Sequence, residues 1–554
     1  MPRTIPPIKT KFFAIAAFAL YVLFPTYTYA QSANTTTNDQ EAQRLKASFQ
    51  NLLDYQKSVN EIFASSDITY DGELTITRQP TYYTLTFPHI YIGGSKNKAN
   101  NEDESQPSNQ VLDIGVITIN AMADEKPGYW KIVLTLPEKF ALYDAQKASG
   151  DPDIFSLNIG EQRTIALYSE KLGYFTKMDL NLSSLGFLVG GQKVDMEMGG
   201  LQFYTKLEEQ DDGKFSGPGH FLINNLKVFP PNQSADVDIE ELKLSFHMGD
   251  FALPTLKEYG NKLLKHKDTF DHLKALEDQD NAENISSQNV FDMLADMYDF
   301  DMGSFSFAYS TKNANIKEKP TANNEEKAPE TNTIHIADGR FGIAVSGLKT
   351  DDGALRIELD YNGFKTTPED PEISDLVPQN LSFNTEAQKV PFNTLTELAS
   401  NTFQSIAENP QAAQMAGLGV IMRLPAIISQ AGTQVVVSKN NISNHIYDVT
   451  LDGKITPDLS SMIGFAAKFN LLFEGLDALL NVSQKHSAKE NGDKVNEYKN
   501  LVTTLQKLKT IGQSTTGKNK KPAYSYTLEL GQQGQFTING HDAQTVFGPQ
   551  QEQQ

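Results

Sequence analysis

Histidine and cysteine, the residues that most often bind metals or act as nucleophiles, form no recognisable site in this chain. It has nine histidines and no cysteine. Zinc hydrolases commonly place two histidines four positions apart on one helix. No two histidines here have that spacing, and His266 and His272 would lie on different helical faces. We therefore interpret the histidines as scattered, hydrated side chains. The lack of cysteine also excludes disulfides, thiolate metal sites and cysteine nucleophiles.

Sequence signatures of other enzyme classes are also missing. The chain contains no Gly-x-Ser-x-Gly nucleophile motif, no Gly-Lys-Ser/Thr phosphate loop and no dinucleotide-binding fingerprint. The glycine-rich spots at 190–191 and 217–219 lack the helix and basic residue that a phosphate site needs, and we predict turns there. We expect a protein that is not an enzyme, with no catalytic residues, no cofactor and no bound metal.

One group of acidic residues has a spacing that could suit calcium. Asp299 and Asp301 occupy alternate positions, and Asp292 and Asp296 precede them. Oxygen ligands at alternate positions are typical of calcium loops, but the closing glutamate is missing because a strand is predicted to follow. A solvated acidic helix end is the preferred interpretation. The sequence leaves open whether a weak calcium site exists near Asp299 and Asp301.

The apolar stretch Met415–Ile428 is the other candidate for a binding surface. It is too short to span a membrane, and Arg423 and Pro425 interrupt it. A helix buried in the core is the first interpretation, and a lid that faces lipid is the alternative. The residues that would form an apolar ligand surface are Met415, Leu418, Ile421, Met422, Leu424 and Ile428.

The composition restricts the partners and the location of the chain. Its 554 residues carry a formal net charge of −21, so we expect no nucleic-acid partner. A basic start is followed by an apolar run, Phe12–Phe24, and then by Thr28-Tyr29-Ala30, whose small residues suit signal peptidase. We predict a cleavable signal peptide and a mature periplasmic chain from Gln31 with no transmembrane segment. Retention of the signal as an anchor is the alternative.

Hydrophobic periodicity predicts more strands than helices. Ala42–Ala64 has helical spacing, with Asn38 and Glu41 placed to form a capping box. Alternating strands follow, with Trp130 in the core or at its rim and a polar loop at Gly93–Gln110. We predict an α+β, strand-rich fold: an extended, curved antiparallel sheet with paired helical inserts. The expected organisation is signal peptide 1–30, N-terminal helix and β-meander 31–170, first repeat unit 171–310, linker 311–332, second repeat unit with C-terminal helices and closing hairpin 333–543, and frayed tail 544–554.

Two segments resemble each other closely enough to predict an internal duplication. Asp211–Ser304 and Asp351–Thr433 both begin with Asp-Asp-Gly and both contain Leu-Ser-Phe. A proline eight residues later, Pro254 or Pro391, is predicted to open a helix in each. The offset between corresponding features drifts slowly along the two segments, as in a diverged duplication.

The N-terminal signal, the repeated strand pairs, the strand–proline–helix units and the closing segment Gly534–Gly540 together suggest a family. In this pattern the chain resembles an uncharacterised family of alphaproteobacterial periplasmic proteins, similar to YdgA-like and AsmA-like envelope proteins. The resemblance implies a long, curved, strand-rich body at the cell envelope. AsmA-like members are connected to lipid trafficking or outer-membrane assembly. The resemblance supplies no catalytic residues.

Three functions stay open from the sequence. The leading hypothesis is a non-enzymatic periplasmic envelope protein that binds lipid or another apolar ligand in a sheet groove. The alternative is a structural or assembly factor that contacts outer-membrane or periplasmic proteins, and an unrecognised hydrolase comes third. A lipid groove requires strands with apolar residues on both faces, and Leu182–Val189 approaches that pattern.

Overall fold

The computed structural model describes most of the chain after residue 37. The described ranges are 38–63, 68–93, 110–144, 153–193, 196–229, 235–253, 301–318, 332–369, 371–408, 413–489, 493–518 and 521–544, with scattered residues between 262 and 296. The predicted signal peptide, most of the Gly93–Gln110 loop and the tail after residue 544 lie outside them. The chain divides into unit 1, residues 1–226 with 247–301, and unit 2, residues 227–246 with 302–554.

Unit 1 combines one long helix with a set of antiparallel strands. The helix is α1, Asp39–Phe63. Two strands, β14 Phe215–Val228 and β15 Ala235–Phe251, contribute residues to both units. The other strands are β1 Ile68–Asp71, β2 Thr75–Arg78, β3 Tyr83–Thr86, β4 His89–Ile92, β5 Gln110–Gly115, β6 Thr118–Ala123, β7 Tyr129–Thr135, β8 Lys139–Asp144, β9 Phe155–Ser169, β10 Tyr174–Val189, β11 Gln192–Lys193, β12 Met196–Lys206 and β13 Glu208–Glu209.

Strand β9 joins two branches of the unit 1 sheet. Its first part pairs with β8, as Ser156 does with Ala141, and its last part pairs with β7, as Ala166 does with Ile132. From β7 the pairing continues to β6, β3 and β2, whereas from β8 it continues to β5, β4 and β1. The other edge of β9 pairs with β10, which pairs with β12. The length of β9, 15 residues, lets one strand serve both branches.

The apolar side of α1 packs into the core of unit 1. Its buried residues recur three or four positions apart, which is the spacing of one helical face: Leu45, Phe49, Leu52 and Leu53. The ring of Phe49 stacks on that of Tyr168, with 4.7 Å between their centroids. The Tyr168 hydroxyl lies 2.5 Å from the Ser48 hydroxyl, and both residues are buried. Trp130 is also buried, as predicted.

The start of α1 confirms half of the predicted capping box. The Asn38 side-chain oxygen accepts a hydrogen bond from the Glu41 backbone N–H at 2.8 Å, which satisfies one of the free donors at the helix start. The Glu41 carboxylate does not complete the box. It accepts a hydrogen bond from the Tyr83 hydroxyl at 3.0 Å instead. Tertiary contact with the sheet has therefore taken the place of the second local hydrogen bond.

Unit 2 contains a long series of strands and five helices among its described residues. The helices are α2 Pro371–Leu376, α3 Phe392–Glu408, α4 Ala413–Ala431, α5 Leu476–Lys489 and α6 Asp493–Ile511. The strands are β16 Ser304–Glu318, β17 Thr333–Ser346, β18 Gly353–Asn362, β19 Lys365–Thr367, β20 Asn380–Val390, β21 Gln434–Ser443, β22 Asp448–Pro457, β23 Phe465–Glu474, β24 Gln513–Thr516, β25 Pro522–Leu530, β26 Phe536–Ile538 and β27 His541–Asp542.

The main strands of unit 2 are arranged in chain order. Nine strands form one series in which each pairs antiparallel with the next: β16, β17, β18, β20, β21, β22, β23, β25 and β26. Helices α3 and α4 are inserted between β20 and β21, and α5 and α6 between β23 and β24. The predicted strand-rich α+β fold with an antiparallel sheet and paired helical inserts is confirmed.

The expected linker at 311–332 is wrong in its first part, and the expected internal duplication is not tested by the described residues. Strand β16 continues through Glu318, and Lys317 pairs with Thr333 of β17, so the first part of the expected linker 311–332 belongs to a hairpin. Backbone pairing holds this polar stretch in a strand although its side chains show no apolar periodicity. The segment after Pro254 falls mostly outside the described residues. The internal duplication therefore stays a prediction.

Candidate apolar binding face

The antiparallel register of unit 2 brings apolar residues from distant parts of the chain onto one face of the sheet. Directly paired residues point to the same face, and every second residue along a strand returns to it. The row nearest the start of β16 takes one apolar residue from each of nine successive strands: Phe305, Val345, Leu355, Ala387, Val435, Ile455, Ala467, Leu530 and Phe536. We call this row the edge row.

Two further rows extend the same side across β16, β17, β18 and β20. The first contains Phe307, Ile343, Ile357 and Thr385, and the second contains Tyr309, Phe341, Leu359 and Phe383. We call the side that carries these rows and the edge row the apolar face. Its reverse is polar, as in the row of Ser310, Arg340, Asp360 and Ser382.

The apolar face is only partly covered where β16, β17, β18 and β20 form it, and we call this region the open part. Three neighbouring side chains there, Phe341, Leu359 and Phe383, are 38%, 42% and 42% exposed. In unit 1, by contrast, β7 alternates buried and exposed residues regularly. The open part therefore has core-type side chains that no described element buries. Contiguous exposed apolar surface of this kind commonly marks a binding site.

Helices α5 and α6 cover the other end of the apolar face. Their side chains share one hydrophobic cluster with residues of the sheet: Leu476, Leu479, Leu480 and Leu505 with Phe473, Tyr526 and Ile538. Phe473 lies on the apolar face because it is an even number of residues from Ala467 of the edge row. Burial also raises the pKa of Tyr447 to about 12, and its neutral hydroxyl donates to the Leu376 carbonyl at 2.9 Å. The face thus has a covered end at β22–β26.

The open part has no ionised side chain in its rows. Tyr309 and Tyr361, which is two residues from Leu359 on β18 and so on the same face, have their pKa raised by burial, and their hydroxyls stay neutral. The Tyr361 hydroxyl donates to the Pro378 carbonyl at 3.1 Å. An ionised group of a ligand would lose hydration without a partner on this surface, and would therefore lie outside it.

The polar reverse of the sheet has a shallow cavity of about 420 Å³. Its charged lining residues are two cations and two carboxylates: Lys312, Asp338, Arg340 and Asp360. Both cations already pair with carboxylates outside this lining, Arg340 with Glu358 at 3.3 Å and Lys312 with Glu241 at 3.0 Å. Because its cations are engaged elsewhere and the cavity is shallow, we assign no function to it.

The predicted ligand surface on α4 divides into an exposed and a half-buried side. Met415, Leu418, Ile421 and Met422 are 77%, 60%, 65% and 80% exposed. Leu424 and Ile428 are half-buried, and α4 contacts α3, β20 and β22. A helix buried in the core, the first interpretation of this stretch, is therefore wrong for its exposed side. Whether the six residues bind a ligand stays a prediction.

The stretch Leu182–Val189, which the sequence suggested for a lipid groove, lies in a buried strand. Leu182, Leu185 and Phe187 of β10 are buried in unit 1, so the apolar character of Leu182–Val189 is that of a core strand. The open part was missed, although Phe305 and Phe307 show its alternation. A strand with one apolar face looks the same whether that face is buried or exposed, so no signal in the sequence separated the two.

Two of the acidic residues considered for calcium, Asp296 and Asp301, contact basic side chains. Asp301 lies 3.3 Å from the Lys214 ammonium group, and Asp296 lies 2.8 Å from His266 Nε2. Asp299 is outside the described residues. Within the described ranges, no group of three potential ligands is arranged to hold a metal ion.

Comparisons with known proteins leave the apolar face as the main guide to function. No helix among the described residues is long and apolar enough to cross a membrane. The chain matches no family model, no curated protein and no solved structure.

Proposed function

We propose that this protein is a non-enzymatic envelope protein of the periplasm that binds an apolar ligand, the acyl chain of a lipid, on the open part of its apolar face. The observation that carries the proposal is the set of aligned, half-exposed rows across β16, β17, β18 and β20. The periplasmic location rests on the predicted signal peptide, and the lipid on the chemistry of the face.

The dimensions of the open part suit one acyl chain. Neighbouring strands are separated by about 4.8 Å, so four strands present a row about 14 Å long. One leaflet of a bilayer contributes half of a hydrocarbon core about 30 Å thick, or about 15 Å. An acyl chain laid across the strands would therefore contact Phe341, Leu359 and Phe383 along most of its length.

The energetics favour a neutral apolar ligand over an ionic one. Each methylene removed from water contributes about 0.8 kcal/mol, so burying about ten of them provides about 8 kcal/mol before ordering costs. The chain has a formal net charge of −21, which disfavours attraction to anionic headgroups. Burial of the acyl chain, rather than charge, would supply the affinity.

Substitution within one strand tests the proposal, because adjacent residues of β18 face opposite sides. Leu359→Thr keeps a strand-forming, β-branched residue but removes apolar surface from the open part. We expect it to weaken binding of a fluorescent fatty acid about tenfold, corresponding to about 1.4 kcal/mol of lost contact. The matched control is Asp360→Thr on the polar reverse, which should leave the affinity unchanged.

The same measurements can refute the proposal. If the wild-type chain binds no fatty acid, and organic extraction of gently purified protein yields no lipid, the open part does not hold an acyl chain. Equal weakening by Leu359→Thr and Asp360→Thr would show that the probe binds elsewhere. Co-purification of a single envelope protein, lost in Leu359→Thr, would favour the assembly-factor alternative.

A further inference from the structure

The exposed side of α4 is a continuous apolar strip. Met415, Leu418 and Met422 are spaced three and four residues apart, so they lie on one side of the helix together with Ile421. The helix contains no acidic residue, and its single charged residue, Arg423, is exposed. In a chain as acidic as this one, a 19-residue helix without a carboxylate is a local exception.

A second apolar group lies at the same edge of the unit 2 sheet. The turn 458–464 connects β22 and β23, and its side chains Leu459 and Met462 are 65% and 84% exposed. The register places it near the end of α4, because Val435 at the start of β21 pairs with Ile455 close to the end of β22. We call the exposed residues of α4 and of this turn the apolar edge.

The turn holds its apolar side chains outward by hydrogen bonds. The Met462 backbone N–H donates to the Gln532 carbonyl at 2.8 Å, and the Gln532 side chain donates to the Ser460 hydroxyl at 3.1 Å. The Asp458 carboxylate accepts from the Ser460 hydroxyl at 2.6 Å, so the only charge of the turn is already engaged. Exposure of Leu459 and Met462 is therefore a property of a fixed turn.

The chemistry of the apolar edge suits a lipid bilayer better than a protein. Interfaces between proteins concentrate their binding energy in tryptophan, tyrosine and arginine anchors. The segments 413–431 and 458–464 contain no aromatic residue, and their large exposed hydrophobic side chains are aliphatic or methionine. Flexible side chains of this kind adapt to a fluid partner. Arg423, beside Met422, is placed to pair with a lipid phosphate.

We propose that the apolar edge inserts into the surface of a lipid bilayer and holds unit 2 there with its edge row next to the membrane. The edge row passes through Val435, Ile455 and Ala467, close to the turn 458–464 and to the C-terminal end of α4. The membrane contact goes beyond the proposed binding of an acyl chain and does not depend on it. If both hold, an acyl chain could pass between the bilayer and the apolar face without crossing a polar surface.

Vesicle flotation tests the membrane contact. Protein purified after secretion, with its N-terminus identified by intact mass, is floated with vesicles of phosphatidylcholine and phosphatidylglycerol. We expect the wild type to float, and the double variant Met422→Ser/Met462→Ser to lose at least about fivefold in bound fraction. The matched control is Met122→Ser, an exposed methionine of unit 1, which should float like the wild type.

A fluorescence readout identifies the inserted residues. The only tryptophan of the chain, Trp130, is buried and gives a constant background. Met422→Trp and Met462→Trp should each shift to the blue when vesicles are added, because the indole leaves water. Leu359→Thr should still float even if it no longer binds a fatty acid, which separates failure of this proposal from failure of the proposed function.

Three outcomes would overturn the membrane contact. The first is that the wild type does not float, and the second is that the double variant floats at the wild-type level. The third is a wild-type dimer in sedimentation that becomes monomeric in the double variant, which would assign the apolar edge to contact between two copies of the chain.

Discussion

The hydroxyl pair between Ser48 of α1 and Tyr168 of β9 offers a sharp test of how the helix is fixed to unit 1. The two oxygens are 2.5 Å apart, and both residues are buried. Tyr168→Phe keeps the ring that stacks on Phe49 but removes its hydroxyl. The Ser48 hydroxyl then stays buried without this partner. Ser48→Ala produces the converse defect at Tyr168.

Each single variant should lower the free energy of unfolding by about 1–3 kcal/mol, which is the cost of an unsatisfied buried hydroxyl. The double variant removes both hydroxyls and leaves neither unsatisfied. We therefore expect it to cost less than the sum of the two single variants, with a coupling energy of about 1–2 kcal/mol. Burial raises the pKa of Tyr168, so its hydroxyl is neutral and the result should not depend on pH near neutrality.

Hydrogen exchange of the amides in α1 measures this effect locally, which avoids treating two units as one unfolding transition. Each single variant should exchange roughly tenfold to a hundredfold faster in α1 than the wild type. Tyr82→Phe, at an exposed tyrosine, is the control and should change little. Strictly additive losses in the double variant would refute the argument, because they would show that the two hydroxyls do not depend on each other.

Two further changes probe the cores of the two units. In unit 1, burial raises the pKa of Glu170 above its ordinary value of 4.5, although the nearby Arg44 partly opposes it. The contribution of Glu170 to stability should therefore fall as pH rises from 4.5 through the folded-state pKa of this group. Over that interval Glu170→Gln should gain stability relative to the wild type in thermal unfolding, and a pH-independent difference between the two would contradict this. In unit 2, Leu476→Ala should cost about 2–5 kcal/mol by opening a cavity under α5, measured by urea unfolding, whereas Met422→Ala on the exposed side of α4 should cost less than about 1 kcal/mol.

Local patterns were sufficient to predict most elements of the fold. The spacing of Leu45, Phe49 and Leu52 defined α1 before any tertiary contact was known, and Asn38 located its start. Pro391 located the start of α3, which begins at Phe392. These features depend on neighbours in sequence, which is why periodicity and capping rules can detect them.

The candidate site could not be predicted in the same way, because it depends on register. Phe341, Leu359 and Phe383 become neighbours only when three strands pair at one particular offset, and a shift of one residue would turn each strand over. Exposure is equally non-local. Met422 and Leu476 are both apolar residues in helices, yet one is exposed and the other buried according to what packs against each helix.

The chain order of the unit 2 strands has a consequence for how the protein is made. Each main strand pairs with the main strand before it, although a pair of helices separates β20 from β21 and β23 from β25. Because the entropic cost of closing a loop grows slowly with its length, these pairings can form in chain order. Strands β16, β17 and β18 are consecutive in the chain, whereas α5 and α6 come more than a hundred residues after β18. A chain that emerges N-terminus first can thus complete most of its open part before its covered end exists. The growing apolar face would be exposed from its first strands onward, so under the proposed function an acyl chain could bind while the remaining strands are still folding.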